Sequence, residues 1–355
     1  MDTLLLGPDD VAASADLPAI IDAVAGAFAA YARGDAQMPA KSYVDLPQYD
    51  GDFRSMPAYI DATEGPGEPW ESAGVKWVNS HPQNPDRHDL PTVMGTMIYS
   101  DPETALPLAI LDGTTLTRLR TGAAAAVATN HFARADADSL GLVGAGVQAH
   151  TQLEAIAEVR DIRRVVIADR DEDALADFEA RYGESEARSA SDHASGPAAR
   201  EQTAEPRDDY EVVRGSIEEA AACDVVSTTT PVREPIVHSV GPDTHVNAMG
   251  ADAEGKHEIA DAVLQDATIV IDDYAQCTHS GEINVPWSAG VLDDEDIYAE
   301  LGEVVAGQVD AVQEGVTVFD STGLAIQDVA ASHVIYEGAR EAGLGTDFSL
   351  VGTET

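Results

Sequence analysis

The chain of 355 residues contains only two cysteines, Cys223 and Cys277. That is too few for the disulfide framework of a small secreted domain, so both are expected as buried free thiols. Bases are scarce too: 20 Lys and Arg against 64 Asp and Glu, a formal net charge of −44. A surface this anionic repels nucleic acid and anionic lipid. The acids are spread along the chain, which argues against an acidic interaction segment. They are read instead as the adaptation of a protein to a high-salt cytoplasm, where screening suppresses self-repulsion. The start, "MDTLLLGPDD", lacks the basic region and long apolar core of a signal peptide. The longest small-apolar run, "AAAAVA" at 123–128, is too short to span a bilayer. A soluble cytoplasmic protein is expected, with neither nucleic acid nor membrane as partner. No metal is expected, since His81, His88, His257 and His279 lack the i, i+4 partners of a zinc helix. Lysine is the sharpest shortage. Only Lys41, Lys76 and Lys256 remain, and a composition that has nearly cleared lysine marks those three as functional candidates.

The chain's organisation follows from its apolar periods. "DLPAIIDAVAGAFAAYARG" carries a helical stripe at Leu17, Ile20, Ile21, Val24, Phe28 and Tyr31, with Asp16 as N-cap and Gly34 as stop. Short strand-like runs follow: "GVKWVN", "TVMGTMIYS" and "PLAILD". "TEGPGEPWES" reads as a loop or insertion. "TLTRLRTGAAAAVATNHFA" predicts a long helix. Strand and helix then alternate through "LGLVGAG", "VQAHTQLEAIAEV", "RRVVIADR" and "EDALADFEARY", and further buried strands lie in "DVVSTTT", "HVNAMGA", "TIVIDD" and "VTVFDS". Alternation of this kind predicts an α/β fold with a doubly wound parallel sheet. The polar stretch 184–209, rich in Ala and Ser, reads as a solvated insertion. The last helix, in "GLAIQDVAASHVIYEGAREAG", is expected to pack back on the N-terminal region.

"GLVGAGVQA" gives Gly144, Gly146 and Ala149 in a G-x-G-x-x-A pattern, after an apolar strand and opening a helix. That is the context in which such a turn binds a dinucleotide: the glycines admit the pyrophosphate, and Val147 and Gln148 begin the helix whose free N–H groups receive it. The turn has no G-K-[ST] and is no Walker loop. Asp169 ends the next strand, where an acid would bind an adenosine ribose, and NAD is the expected cofactor. Arg170 beside it could meet a 2′-phosphate, which leaves NADP open. Ligands of such sheets collect beyond the carboxyl ends of the strands. Asp252 follows "HVNAMGA" at that edge, and Thr228 and Thr229 of "STTTP" should share it. Lys256 is expected to approach the cofactor or to anchor the turn.

The pieces "GVKWVNSHPQN", "LPLAILDGTTLTRLRTGAA", "GLVGAGVQA", "HVNAMGADAEGK" and "VTVFDSTGLAIQD" together resemble the ornithine cyclodeaminase/mu-crystallin family along nearly the whole chain. Within it, "QMPAKSY", "GDFRSMPAYI" and "GADAEGK" most resemble the archaeal alanine dehydrogenases. The resemblance implies a Rossmann NAD-binding domain over 117–320. It also implies a second α+β domain over 1–116 and 321–355, which forms a homodimer and supplies substrate contacts. Carried over by position, Lys76 is the active-site lysine and Asp252 the acid–base carboxylate. Arg120 contacts cofactor phosphate or substrate carboxylate, and Thr92 and Ser321 match cofactor-contacting positions. Lys41 stands where other members carry an arginine. Insertions near 62–72 and 184–209 have no placed counterpart.

The implied reaction is reversible NAD-dependent oxidation of L-alanine to pyruvate and ammonia. Lys76 would take the proton of the α-amine, Asp252 would activate water, and Lys41 and Arg54 would hold the substrate carboxylate, Arg54 as a planar fork. The alternatives are an ornithine cyclodeaminase, a ketimine reductase and, in a different class, a non-catalytic binding protein of the mu-crystallin kind.

Overall fold

A computed structural model describes residues 2–63, 69–183 and 210–352. The stretch 184–209, expected as a solvated insertion, lies outside the described residues, as do residues 64–68 of the expected loop at 63–72. The strands are β1 (Thr3–Leu6), β2 (Ala36–Gln37), β3 (Ser42–Leu46), β4 (Gly51–Asp61), β5 (Glu71–Ser80), β6 (Val93–Ser100) and β7 (Pro107–Asp112). They continue with β8 (Ser139–Val143), β9 (Arg164–Ala168), β10 (Glu211–Arg214), β11 (Val225–Thr228), β12 (His245–Ala248), β13 (Thr268–Ile271), β14 (Ile297–Glu300), β15 (Thr317–Asp320) and β16 (Thr346–Phe348).

Two sheets result. The first runs β16-β1-β7-β6-β5-β4-β2, with β3 on β4, so both ends of the chain share it. The second runs β10-β9-β8-β11-β12-β15-β13-β14, and every pairing in it is parallel. Both faces of the second sheet are buried. Val165 and Ile167 join one apolar cluster while Val166 and Ala168 join the other, because successive strand residues point to opposite faces. This is why these strands read as unbroken apolar runs rather than alternating ones. The chain leaves β8 toward β9 and β10 on one side and returns to β11 and β12 on the other, a topological switch point at the carboxyl end of β8.

The helix Leu17–Arg33 begins where the Asp16 carboxylate accepts from the Ala19 N–H, and ends where Gly34 turns left-handed at φ 84°. The helix Gly113–Phe132 is capped by Asp112, which accepts from Thr114 and Thr115 N–H. It packs against β6 of the first sheet and against β12 and β15 of the second. The expected boundary at residue 117 therefore falls inside a continuous helix that belongs to both halves. Its alanine run is buried, and side chains that small let the helix Val147–Val159 pack against it. The last long helix, Ala325–Ala342, packs on the helix Leu17–Arg33 and on β4, β5 and β6. It thereby brings the end of the chain back beneath the first sheet.

Candidate active site

Alternation along two paired strands builds one wall of a cavity. Arg54 lies opposite Val78 and Met56 opposite Lys76 in the β4–β5 register, so all four project from the same face of the first sheet. The second sheet supplies the opposite wall. Asp252 stands in the loop after β12 and Thr322 in the loop after β15, both at the sheet's carboxyl edge. Lys41, Thr117 and Arg120 complete a cavity of about 70 Å³ lined by these groups with Asn79, Ser80 and Val93. A larger open groove, bounded by Leu5, Ile110 and Thr346, lies along β1 and β7 and carries none of these side chains.

Lys76 is almost fully buried, at 1% exposure. Its Nζ donates to Asp328 Oδ1 at 2.7 Å and to Thr117 Oγ1 at 3.1 Å. Burial, together with the Arg120 and Lys41 charges, lowers the amine to about 7 against the opposing pull of Asp328. Arg120 Nε lies 3.1 Å from the same Asp328 oxygen, and its Nη1 donates to Gln327 Oε1 at 2.9 Å. Gly323, at φ 74°, passes so close beneath the Arg120 guanidinium that a Cβ would collide with it. Lys41 Nζ donates to the Thr322 carbonyl at 3.1 Å, and burial lowers its amine as well.

Asp252 sits between two cations. Lys256, four residues on, donates to its Oδ1, and Arg54 Nη1 lies 3.3 Å from its Oδ2. Enclosure by protein alone would raise this carboxyl, but Lys256 and Arg54 outweigh it and hold the group below the ordinary aspartate range. Arg54 is itself fixed: Asp52 accepts from its Nε and Nη2 at 3.0–3.2 Å, and the Tyr43 ring lies 5.7 Å from the guanidinium carbon. Arg54, expected to hold the substrate carboxylate, lines the cavity and bridges two of the protein's own carboxylates. Lys256 also donates to the Gly250 carbonyl at 3.3 Å. Its amine thus joins Asp252 to the backbone at the start of the turn.

The glycine turn after β8 is tight and leads into a helix with no side-chain cap. Gly144 adopts φ 104° at the carboxyl end of β8, and a Cβ there would stand 2.8 Å from Thr229 Oγ1. That hydroxyl is buried with no hydrogen-bond partner. The helix Val147–Val159 starts with no side-chain cap, Val147 is exposed, and a Cβ on Gly146 would meet nothing within 4 Å. Gln148 follows in the same first turn. Asp169 bonds back to the turn, accepting from the Ala145 N–H at 2.6 Å, with Arg170 exposed beside it. Thr228 and Ser321, expected as cofactor contacts, have their hydroxyls bonded inward. The Thr228 hydroxyl donates to Glu258 at 2.7 Å and that of Ser321 to Asp272 at 3.0 Å, both in the interior. Thr92 precedes β6, its carbonyl accepting from His81 N–H at 2.7 Å.

Three carboxylates that fix this site were not singled out from the sequence. Glu258, fully buried, ties Thr228, Thr230 and the Gly250 N–H together. Asp272 accepts from Ser321, Thr322 and Gly323. Asp328 holds Lys76 and Arg120. Each is an acid within or beside an apolar run, a signal that the run's own periodicity masks. Among the described residues no group of three or more His, Cys, Asp or Glu is placed to hold a metal ion.

A family model, the ornithine cyclodeaminase/mu-crystallin family, matches residues 1–195 and 195–343. The chain belongs to the ornithine cyclodeaminase/mu-crystallin family. It is 44% identical over 350 residues to an alanine dehydrogenase of Archaeoglobus fulgidus, covering 98% of each chain. Among solved structures it is similar to an archaeal alanine dehydrogenase dimer with bound NAD (TM-score 0.85, 42% identity, 99% of this chain and 100% of that one). It is also similar to the Δ1-pyrroline-2-carboxylate reductase of Thermococcus litoralis in complex with NADH and L-proline (TM-score 0.84, 30% identity, 97% and 99%). The family and the two-domain Rossmann-type fold agree with the sequence reading. Among the described residues no helix is long and apolar enough to cross a membrane.

Proposed function

We propose that this family member is an NAD-dependent alanine dehydrogenase, converting L-alanine, NAD⁺ and water to pyruvate, ammonium, NADH and a proton, and catalysing the reverse amination. The observation that carries the reading is the convergence of Lys76, Arg120, Lys41, Arg54 and Asp252 on one small cavity at the carboxyl edge of a dinucleotide-type sheet. At about 10–15 Å³ per water-sized group, that cavity has room for roughly five such groups, the scale of a small amino acid.

The residues present fit NAD. The orphaned Thr229 hydroxyl beside Gly144, the open space at Gly146 and the uncapped helix at Val147 and Gln148 suit a pyrophosphate. Asp169 suits the adenosine ribose, and Thr228 and Ser321 offer backbone at the same edge. NAD, when bound there, supplies the acceptor for the hydride that leaves Cα.

The protein's own groups do the rest. Arg120 and Lys41 hold the substrate carboxylate. Lys76, lowered to about 7, has a neutral fraction at neutral pH that accepts the proton of the α-ammonium. Hydride loss from the neutral amine then leaves an iminium ion at Cα. Asp252, kept ionised by Lys256 and Arg54, takes a proton from the water that attacks this carbon, returns it to the departing amine, and takes up the hydroxyl proton as the carbonyl forms. In the amination direction the same carboxyl donates the proton.

The first sheet also supports a homodimer. Val44, Trp77 and Ile98 are exposed on its outer face, and Phe53 stacks on Trp77 at 5.2 Å; an apolar patch of this kind marks an association surface. A cytoplasmic location accords with the same reading.

The test is NADH formation by purified protein over a panel of amino acids at molar salt. Alanine-dependent NADH supports the reading, and its absence overturns it. The likeness to the Thermococcus litoralis reductase favours one second reading, reduction of a cyclic imino acid. Δ1-pyrroline-2-carboxylate with NADH tests it on the same preparation.

A further inference from the structure

We propose that Asp328 is the positioning residue of this site: its carboxylate clamps Lys76 and Arg120 side by side on the cavity wall and tunes how readily Lys76 holds a proton. The inference rests on the dehydrogenase reading for its catalytic consequence, but not for its geometry.

Asp328 lies in the first turn of the helix Ala325–Ala342, within "AIQDVAA", and is fully buried. A lone carboxylate has no place on an apolar helix face unless cations compensate it. Here two do, and both approach the same oxygen: Lys76 Nζ at 2.7 Å and Arg120 Nε at 3.1 Å from Oδ1. The three groups come from separate elements: Lys76 from β5, Arg120 from the helix Gly113–Phe132, and Asp328 from the last long helix. No local turn could bring them together, so the carboxylate is what sets their spacing. Asp328 Oδ2 has no hydrogen-bond partner among the described residues, so both cations meet the carboxylate through Oδ1.

The charged groups acting on Lys76 are few. Asp328 favours its ammonium form, whereas Arg120, Lys41 and burial oppose it. Asp328 is the one carboxylate within ion-pair distance of Lys76 among the described residues. Removing it leaves the amine between two cations in a dry setting, where the proton is held more weakly. It also releases Lys76 and the Arg120 guanidinium from a common anchor, and they would then tilt away from the substrate's α-amine and carboxylate respectively.

The scarcity of lysine makes the test direct. Protein labelled with ¹³C at lysine Cε carries only three lysine signals, from Lys41, Lys76 and Lys256; Lys76→Met assigns the Lys76 signal by its loss. In Asp328→Asn the Lys76 titration midpoint is expected to fall by about one to three pH units, the range for an opposite charge at this distance. With alanine as substrate, kcat is expected to drop about 100-fold while NADH binding, followed by its fluorescence, stays within about threefold. Asp328→Glu, which keeps the charge but moves it, should leave the Lys76 midpoint near the parent value and still lower kcat. An unmoved Lys76 midpoint in folded Asp328→Asn overturns the tuning role. Parent kcat in Asp328→Glu overturns the positioning role, including in the case where Asp328→Asn does not fold. If no variant or parent oxidises alanine, the dehydrogenase reading fails, and the lysine titration still decides the clamp.

Discussion

Arg54 Nη1 stands 3.3 Å from Asp252 Oδ2, although 198 positions separate the two residues. One belongs to β4 of the first sheet and the other to the loop after β12 of the second. Their contact closes the cavity between the two sheets and, with Lys256, keeps the Asp252 carboxylate ionised.

Asp252→Asn keeps the shape of the side chain and removes the base. NADH binding is expected to stay nearly intact, and alanine oxidation to fall by about two orders of magnitude or more, the scale on which a positioned acid–base group acts. Fluorescence titration of NADH and steady-state kinetics check the two halves separately. Normal turnover in Asp252→Asn would remove this carboxylate from the reaction.

Lys76 carries a pH dependence whose sign follows from its lowered proton affinity. Alanine oxidation needs the neutral amine, so kcat/KM is expected to rise with pH through about 7. Stability shifts in the same direction. The unfolded lysine titrates near about 10.4, so between about pH 7 and 10 the unfolded chain binds more protons at this residue than the folded one. The stability set by this group therefore rises as pH increases across that window. Urea unfolding of the parent and of Lys76→Met at pH 7 and pH 9 measures it; equal slopes in the two proteins would contradict the assignment.

The formal charge of −44 leads to a dependence on salt. Activity and folded state are expected to need roughly molar salt, where the Debye length is about 3 Å and acid–acid repulsion on the surface is screened. Circular dichroism and activity followed during dialysis from molar salt to dilute buffer provide the measurement. A fully folded, fully active enzyme in dilute buffer would refute the high-salt reading of the composition.

Much of this architecture is legible in the sequence, because strands such as "RRVVIADR" are buried on both faces and leave continuous apolar runs between helical stripes. The three lysines are legible for a compositional reason: against so acidic a background each survivor stands out, and the structure brings Lys41 and Lys76 to the cavity and Lys256 to its carboxylate. What sequence reasoning misses is the set of partners. Asp328, Asp272 and Glu258 lie far along the chain from the groups they hold, and nothing in local spacing says which cation or hydroxyl a buried acid will meet. For the same reason the sequence does not show that Arg54, read as a planar fork for the substrate carboxylate, also meets Asp52 and Asp252. Thr228 and Ser321 read as cofactor-contacting positions, and the sequence does not show the interior carboxylates that accept from their hydroxyls.

Substrate class follows from the balance of charge around the cavity. Lys41, Arg54, Lys76, Arg120 and Lys256 stand against Asp52, Asp252, Asp272 and Asp328, five bases to four acids, in the lining and its direct partners. Such a site attracts the single carboxylate of alanine or pyruvate. It offers little to the second ammonium of ornithine, since Asp52, Asp252 and Asp328 are each already paired with a cation and Asp272 is buried behind Ser321, Thr322 and Gly323. One uncompensated cation about 4 Å away would cost that ammonium roughly 4 kcal/mol near a protein surface, close to a thousandfold in preference. Pairing of Arg54 with Asp52 and Asp252 reduces this, and discrimination of at least about tenfold remains the expectation. Both assays belong on one preparation: NADH formed from alanine, and proline formed from ornithine without net NADH. Alanine turnover with no proline is the expected outcome. Proline from ornithine would instead mean that the cavity places a carboxylate where the distal amine can reach it, and would move the chain to the cyclodeaminase side of its family.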